Sequence, residues 1–382
     1  MTTSARLADL TTLGVGGEAH RLVEPASRDE LVEATLAAWG EPEDWLLLGG
    51  GSNLVVADDG FDGTVIRVAT RGIERLPDAE PHRPDPADGA PDPAPRERTV
   101  RLRVEAGEPW DAVVEHAVAS GWAGIEALSG IPGSAGAAPV QNIGAYGQEL
   151  ASSLVAVDFL DFETGELTRL SAAELGLGYR TSALKRGRLG LVVALELALV
   201  DSPESQPIAY AQLAQALGVR LGDRVPVETV RSAVLELRRG KGMLWDPADL
   251  DARSAGSFFT NPVVSEGFAR ALPADAPRWP TAPEEPDRVL PLGAHVPAAP
   301  ASGEYLVKLS AAWLIERAGI RRGFSLPGST AAISSKHTLA IVSREGGTAA
   351  DVAQLASFVQ TRVLAEFGVR LQPEPVLVGV AL

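Results

Sequence analysis

Two glycine-rich stretches are the parts of this sequence whose composition most suggests chemistry. The first, "GGGSN", runs from Gly49 to Asn53 between apolar runs, and the second spans 130–147 and is rich in small and amide residues. Backbone N–H groups in such segments can face a diphosphate, because no Cβ wall keeps it away. Gln141 and Asn142 add amide groups suited to a flavin or purine edge. The alternative is a tight structural loop, and for "GGGSN" taken alone that alternative is favoured.

Neither stretch has the common form of a nucleotide-binding loop. No G-x-G-x-x-G opens a helix, and "RRGKGM" does not match the G-x-x-x-x-G-K-[ST] pattern of phosphate-binding loops. In that segment Arg238, Arg239 and Lys241 form a basic cluster at the end of a predicted helix. Helix dipoles favour cations there, and the cluster could also attract diphosphate groups. A dinucleotide bound by this chain would need another type of fold.

Composition narrows the classes of function. A net charge of −16 over 382 residues disfavours nucleic acid and anionic membrane surfaces as partners. The absence of cysteine excludes disulfides, thiol nucleophiles and Cys-type zinc sites, and it fits a reducing cytoplasm. The five histidines show no metal-ligand spacing, so no metal is expected. We also expect no membrane span and no secretory signal, because apolar runs of the required length are missing.

The remaining sequence predicts a mixed α+β chain. Strand patterns occur in "TVIRVA", "TVRLRVEAG" and "LGLVVALELALV", in a hairpin turning near Glu163 to Gly165, and in the closing "VRLQPEPVLVGVAL". Helix patterns occur in "PWDAVVEHAVASG", "VPVETVRSAVLELRRGKG", "KLSAAWLIERAGI" and "TAADVAQLASFVQTRVLAEFG". Two proline-rich segments, 76–98 and 272–303, are predicted to be mobile surface loops because proline at this density disrupts helices and sheets.

Five motifs in order carry a family resemblance: "LLLGGGSNLVV", "GIPGSAGAAPVQNIGAYGQE", "YRTS", "SAGSFFTNP" and "LQPEP". Together they resemble the UDP-N-acetylenolpyruvoylglucosamine reductase family of bacterial cell-wall precursor synthesis. Tyr210 resembles the loop tyrosine that is typical of one subgroup of this family. The two proline-rich insertions resemble those of actinobacterial members.

The resemblance implies an FAD-binding domain of the vanillyl-alcohol-oxidase (PCMH) type followed by a smaller α/β substrate-binding domain. Its predicted limits are 1–70 for the first FAD subdomain, joined by the C-terminal strand 369–382, then 71–222 for the second, and 223–368 for the substrate domain. FAD is expected to bind non-covalently, with its diphosphate against the turn from Gly49 to Asn53.

The resemblance also implies a reaction. NADPH reduces FAD, and the enolpyruvyl ether of UDP-N-acetylglucosamine then takes a hydride from flavin N5 at C3 and a proton at C2, giving UDP-N-acetylmuramate. Arg180 matches the arginine that binds the substrate carboxylate, Ser257 the proton donor, and Glu374 the glutamate beside the reacting carbon. Without the motifs, Arg180 would read as a surface arginine and Ser257 as a cap.

A serine hydroxyl is a weak acid, so Ser257 needs cationic or hydrogen-bonded support, for which Lys241, Asn261 and the flavin region are candidates. Pro375 departs from the valine usual in the family and removes one backbone donor next to Glu374. The residues expected to bind FAD are Gly49, Gly50, Gly51, Ser52, Asn53, Ile131, Pro132, Gly133, Gly136, Ala137, Gln141, Asn142, Gly144, Tyr146 and Arg238. The residues expected to bind substrate are Tyr210, Lys241, Asn261 and His337.

Alternatives remain for two of these: Tyr210 could be a half-buried strand tyrosine, and His337 could be merely exposed. The expected partners are small molecules only, and the chain is expected to be a cytoplasmic monomer. A flavin-dependent oxidase of small alcohols or lactones and a non-catalytic nucleotide-binding module are the rival functions. "SAGSFFTNP" and "LQPEP" favour the reductase, because they belong to its substrate domain rather than to flavin binding.

Overall fold

The computed structural model describes residues 3–77, 98–246, 248–281 and 306–382. Within these residues the helices are α1 (Arg28–Trp39), α2 (Trp110–Ala119), α3 (Ala172–Leu175), α4 (Ala211–Leu217), α5 (Val227–Gly240), α6 (Glu266–Ala271), α7 (Ala311–Arg317) and α8 (Ala349–Phe367). The strands are β1 (Thr3–Arg6), β2 (Glu18–Val23), β3 (Asp44–Leu48), β4 (Leu54–Val56), β5 (Phe61–Arg67), β6 (Ile73–Arg75), β7 (Thr99–Glu105), β8 (Trp122–Ala123), β9 (Gly144–Ala145), β10 (Gln148–Glu149), β11 (Leu154–Asp161), β12 (Leu167–Ser171), β13 (Gly190–Asp201), β14 (Ser254–Ser257), β15 (Val263–Ser265), β16 (Arg278–Thr281), β17 (Leu306–Leu309), β18 (Ala331–Ile333), β19 (Ala340–Ser343) and β20 (Val376–Val378).

The first sheet has the strand order β1-β2-β5-β3. β2, β5 and β3 run parallel, and helix α1 supplies the crossover that a parallel pair requires. Ser27 caps α1 by accepting a hydrogen bond from the backbone N–H of Glu30. Leu31 of α1 is buried against Ile66 of β5, so the helix covers one face of the sheet. The "GGGSN" turn leaves this sheet at the end of β3.

The second sheet has the order β12-β11-β13-β7-β6, with every pair antiparallel. Its central strand β13 is buried along most of its length, as its continuous apolar run predicts. Trp110 and Val113 of α2 pack on one face, in a core that includes Leu197. Leu191 and Val193 face the opposite way and share a core with Leu31 of α1. The two sheets are therefore joined through apolar packing.

The third part of the chain contains the antiparallel sheets β14-β19-β18 and β15-β17-β16, covered by α7 and α8. Phe258 and Phe259, directly after β14, are each 1% exposed and lie in this core. The chain end then returns to the first part, because β20 pairs in parallel with β4. The mixed helix and strand content confirms the α+β prediction.

Two predicted elements differ from the structure. Most of the proline-rich segments lies outside the described residues, but within the second one 278–281 forms strand β16, so a loop there is wrong. β16 lies at the edge of its sheet. Pro280 is tolerated there because an edge strand can lack one backbone N–H without disrupting the sheet. The C-terminal strand is also short, since only Val376–Val378 pair with β4.

Helix α5 packs beside the second sheet rather than in the third part. Val230 and Val234 share a core with Leu213 of α4 and with Ala127. The domain limits at residues 70, 222 and 368 stay predictions. None of the helices in the described ranges is long and apolar enough to cross a membrane.

Candidate active site

The "GGGSN" turn is glycine-rich partly because other protein segments press against it. A Cβ on Gly50 would lie 2.6 Å from Gly133 Cα, and one on Gly49 would lie 2.5 Å from Ser134 Oγ. Gly51 has a φ of +61°, and its Cβ would lie 1.9 Å from the carbonyl oxygen of Leu10. An approaching diphosphate is therefore not needed to explain these glycines. Contact between the two glycine-rich stretches is itself a reason for them.

Gly51→Ala is expected to lower the free energy of unfolding by at least about 3 kcal/mol, because left-handed strain adds to an overlap with backbone that must shift. Urea unfolding measures this loss. Gly121→Ala is the matched control: its φ is +71°, but a Cβ there meets no described atom within 4 Å. It is expected to cost only about 1–2 kcal/mol, the strain alone. Equal losses in the two variants would contradict the packing argument.

A cleft of about 470 Å³ lies where the two glycine-rich stretches, the end of β14 and the C-terminal segment meet. The catalytic candidates Arg180, Ser257 and Glu374 all line it. The predicted cofactor-binding residues that line it are Gly49, Gly50, Gly51, Ser52, Asn53, Ile131, Pro132, Gly133, Ala137, Gln141, Gly144 and Arg238. Residues far apart in sequence thus form one site.

A short hydrogen-bond network ties the walls of the cleft together. Asn53 Nδ2 donates to Gln141 Oε1 (3.2 Å) and to the carbonyl oxygen of Glu374 (3.3 Å). Gln141 Nε2 in turn donates to Glu374 Oε1 at 3.2 Å. Lys185 Nζ, which was not anticipated from the sequence, also donates to Gln141 Oε1 at 3.2 Å. Burial lowers the pKa of Lys185, and the nearby Glu374 carboxylate acts in the opposite direction.

Arg180 occupies a strained turn and faces Glu374. Its φ is +52°, in the left-handed region that non-glycine residues rarely adopt. Its Nη2 donates to the carbonyl oxygen of Gly144 at 2.8 Å, and its Nε lies 3.3 Å from Glu374 Oε1. Nη1 has only a long contact, 3.5 Å, to the carbonyl oxygen of Asn142. A guanidinium held in this way keeps N–H groups available for an additional carboxylate.

Pro375 fits the backbone of the C-terminal segment without losing a hydrogen bond. The N–H of Glu374 donates to the carbonyl oxygen of Phe258 at 2.8 Å, and the N–H of Val376 donates to that of Asn53 at 2.9 Å. The backbone hydrogen bonds of this segment are thus made by the residues before and after Pro375, and neither of them uses an N–H at position 375. The departure from the family pattern therefore leaves Glu374 tied to the strand that carries Ser257.

Ser257 contacts a histidine that is distant in sequence. Ser257 Oγ lies 3.2 Å from His337 Nε2, and one of the two groups donates depending on the imidazole tautomer. Pairing of β14 with β19, in which Ser257 is opposite Ala340, brings the two residues together. His337 does not line the cleft itself. It is not merely exposed, because it packs behind the serine hydroxyl.

Burial lowers the pKa of His337 to about 4, and the cations Lys241, Arg238 and Arg322 act in the same direction. The ring is therefore neutral at neutral pH, so that one ring nitrogen carries a proton and the other accepts. Burial also lowers the pKa of Lys241, to which Arg238 contributes. The support of Ser257 in this structure is thus a neutral imidazole, and Lys241, Arg238 and Arg322 are close enough to act on the pKa of that imidazole.

Apart from Tyr146, which is described below, two predicted cofactor-binding residues do not line the cleft. Asn142 is 1% exposed, and its amide is used within the protein: Nδ2 donates to Glu149 Oε2 (2.9 Å), and Oδ1 accepts from the N–H of Ala151 (2.9 Å). A Cβ on Gly136 would lie 2.5 Å from Ala106 Cβ, so this glycine permits contact between two protein segments. Both residues stabilise the second glycine-rich stretch rather than lining the cleft.

A second group of predicted residues gathers beside the cleft. The rings of Tyr146 and Tyr210 meet edge to face at 5.8 Å, and Lys241 Nζ lies 5.2 Å from the centre of the Tyr146 ring. Tyr210 precedes α4 and is 45% exposed, so the strand interpretation of this residue is wrong. Asn261 is not part of this group of residues, because its Oδ1 accepts a hydrogen bond from the N–H of Ala311 at the start of α7.

The polar groups of the cleft fit an anionic, diphosphate-containing cofactor. Ser134 Oγ is buried with no hydrogen-bond partner among the described residues, and Ser134 lines the cleft beside Gly49. Arg238 is 6% exposed, and its Nε donates to the carbonyl oxygen of Gly130 at 2.9 Å. Burial lowers the pKa of Arg238. A buried hydroxyl without a partner and a buried guanidinium facing a glycine-lined cleft suit phosphate oxygens.

The residues that the structure describes include no group of three or more His, Asp or Glu that could hold a metal ion. The groups available for chemistry are the hydroxyl, the imidazole, the guanidinium and the carboxylate described above.

Comparison with known proteins identifies both halves of the chain. Residues 19–171 match the FAD binding domain, and residues 246–378 match the C-terminal domain of UDP-N-acetylenolpyruvoylglucosamine reductase. The crystal structure of UDP-N-acetylenolpyruvylglucosamine reductase from Thermus caldophilus has a TM-score of 0.61 and 25% identity, and 99% of each chain is covered. These matches confirm the predicted FAD-binding domain followed by a reductase C-terminal domain.

Relatives that match the chain over its whole length belong to the same family as these domain matches indicate. A UDP-N-acetylenolpyruvoylglucosamine reductase from Leifsonia xyli is 60% identical, with 100% of each chain covered. One from Saccharopolyspora erythraea is 48% identical, with 100% of this chain and 96% of that protein covered. From this identity over the full length, the chain belongs to the UDP-N-acetylenolpyruvoylglucosamine reductase family of oxidoreductases.

Proposed function

We propose that this chain uses NADPH to reduce the enolpyruvyl ether of UDP-N-acetylglucosamine to UDP-N-acetylmuramate, a precursor of peptidoglycan. The observation that carries the proposal is that Arg180, Ser257 and Glu374 line one cleft with both glycine-rich stretches. The cleft joins parts of the chain that match an FAD-binding domain and a reductase domain. We further propose that the protein acts as a cytoplasmic monomer.

FAD, when held in this cleft, would supply the hydride for C3 of the enolpyruvyl group. Gly49, Gly50 and Gly133 line the cleft where its diphosphate would lie, and Ser134 Oγ offers a hydrogen bond that no described residue takes. The buried guanidinium of Arg238 adds positive charge on the same side. Gln141 joins this region to Glu374 through its amide.

Arg180 binds the carboxylate of the substrate. Negative charge develops at C2 and spreads into that carboxylate when hydride reaches C3, so a fixed guanidinium lowers the barrier. Arg180 is oriented by the Gly144 carbonyl on one side and by Glu374 on the other. Glu374 is in turn held by Gln141, which keeps the arginine from folding away from the cleft.

Ser257 delivers the proton to C2. Its hydroxyl lies within hydrogen-bond distance of His337, and a neutral imidazole protonated at Nε2 donates to Ser257 Oγ. The serine proton is then free to point into the cleft, and the same N–H stabilises the alkoxide left after transfer. Hydride at C3 and proton at C2 together saturate the double bond, with no other group leaving the substrate.

The test is an anaerobic half-reaction. Purified protein saturated with FAD is reduced with one equivalent of NADPH and then mixed with the enolpyruvyl ether of UDP-N-acetylglucosamine. We expect the flavin absorbance to return without oxygen and UDP-N-acetylmuramate to form. In deuterated water the product should carry solvent deuterium at C2 and also at C3, because the hydrogen on N5 of reduced flavin is an N–H that exchanges with solvent before it is transferred.

Other outcomes point elsewhere. Reduced flavin that ignores this substrate but reoxidises in air indicates the oxidase of small alcohols or lactones. Failure to bind FAD under reconstitution, with the nucleotide substrate still bound, indicates a non-catalytic nucleotide-binding module. Either result rejects the reductase proposal.

A further inference from the structure

A second cleft, of about 570 Å³, lies beside the first one and is rich in arginine. Arg6 at the end of β1, Arg253 just before β14 and Arg344 just after β19 all line it. Arg253 and Arg344 flank the paired strands β14 and β19 at the same end, because the N–H of Ser343 donates to the carbonyl oxygen of Arg253 at 3.0 Å. The aliphatic part of the Arg253 side chain passes Gly14. The cleft thus brings basic residues from the first and last parts of the chain together.

These three arginines lack acidic partners, which is unusual in a chain with a net charge of −16. Within the part of the chain that the structure describes, none of them forms a salt bridge or a side-chain hydrogen bond. Arg67 also lines the cleft, but it is paired with Glu24 at 2.5 Å. Asp9 is the one acidic residue that lines the cleft among those described. Three unpaired guanidinium groups facing one space repel one another unless an anion occupies it.

An aromatic side chain completes the lining. Trp245 is 62% exposed, although a tryptophan normally buries most of its ring. It lines the same cleft as the arginines. A flat ring beside several guanidinium groups suits a ligand that combines a planar base with phosphates, because the base can stack and guanidinium groups bind phosphate oxygens at two points.

We propose that this cleft is a second binding site, separate from the catalytic cleft, for a nucleoside polyphosphate. Arg6, Arg253 and Arg344 bind its phosphates, and Trp245 stacks on its base. The hydroxyls nearby do not compete for the phosphates, since Thr11 Oγ1 donates to the carbonyl oxygen of Val15 and Thr12 Oγ1 to that of Ser254. The arginines therefore supply the affinity.

The site adjoins the catalytic cleft. Gly50 lines both clefts, so the "GGGSN" turn separates them. Arg253 directly precedes β14, the strand that ends at Ser257, and Thr12 binds the first residue of that strand. A ligand that draws Arg6 and Arg253 together therefore bridges the first sheet and the strand that carries the serine.

Binding is tested on the FAD-loaded protein by calorimetry, with inorganic tripolyphosphate and ATP as the probes, at low and at high salt. We expect both to bind at low salt and to weaken as salt is added. Arg253→Gln combined with Arg344→Gln should lower the affinity for both probes at least about tenfold, the loss expected for charged hydrogen bonds. Trp245→Ala should weaken ATP but leave tripolyphosphate unchanged. Arg220→Gln, at an exposed position outside both clefts, is the matched control and should change neither affinity.

Three outcomes overturn the proposal: neither probe binds, both bind to the double arginine variant as tightly as to the wild type, or Trp245→Ala leaves the affinity for ATP unchanged. FAD content and the thermal midpoint of each variant show whether it is folded. The binding measurements require no turnover, so failure of the reductase proposal and failure of this one are distinguishable.

Discussion

Ser257→Ala is expected to slow the substrate-dependent reoxidation of the flavin about 10²- to 10⁴-fold, the usual contribution of a positioned proton donor. Reduction of the flavin by NADPH should continue at the wild-type rate, because that step needs no proton at C2. Anaerobic stopped-flow measurement of the two half-reactions separates these effects. The reason for a large loss is geometric: Ser257 is the hydroxyl in the cleft that contacts His337.

Ser265→Ala is the control for this variant. Ser265 lies eight positions further on and caps α6, accepting a hydrogen bond from the N–H of Phe268 at 3.3 Å. Its loss should cost stability of about 1 kcal/mol without changing either half-reaction. If Ser257→Ala reoxidises with substrate as fast as the wild type, another group donates the proton and the role given to Ser257 is wrong.

Arg180→Lys is expected to lower kcat/KM for the nucleotide substrate about 10²- to 10³-fold, a loss comparable to removing a fixed donor that faces developing negative charge. Lysine keeps the charge but cannot reach Gly144, Glu374 and a substrate carboxylate at once, because it lacks the planar fork. It also loses the 3.3 Å contact to Glu374 that orients the side chain. Steady-state kinetics should show a lower kcat as well as a higher KM.

Arg186→Lys provides the matched comparison. Arg186 is in the same loop, but it is exposed and donates to the carbonyl oxygen of Gly176 at 3.2 Å. Its replacement should leave kcat and KM close to the wild type. A fall in kcat/KM of similar size in both variants would mean that the loop is disturbed generally and that Arg180 has no special part in binding the carboxylate.

Local pattern was sufficient to predict the main elements. The apolar run from Leu189 to Val200 predicted a buried strand and became β13, and the amphipathic segment before Gly240 became α5. These predictions succeed because apolar periodicity in one short segment determines which face it buries. The proline-rich segment before residue 282 was predicted less well. A strand at a sheet edge tolerates proline, and the sequence does not mark an edge.

The contents of the catalytic cleft were less predictable than its glycine-rich walls. The sequence indicated Arg180, Ser257 and Glu374 through motifs, but it could not indicate that His337 contacts the serine across 80 positions. Strand pairing between β14 and β19 produces that contact. It also could not separate glycines that line the cleft, such as Gly49, from Gly136, which packs against Ala106.

By itself, the sequence determined the family, the order of the two matched domains and the residue types available for chemistry, because motifs and periodicity are local properties of the chain. The tertiary structure alone decided which side chains meet: Glu374 with Arg180, His337 with Ser257, and the three unpaired arginines in one cleft. Those contacts depend on packing between segments far apart in the sequence, and no short-range pattern encodes the outcome of that packing.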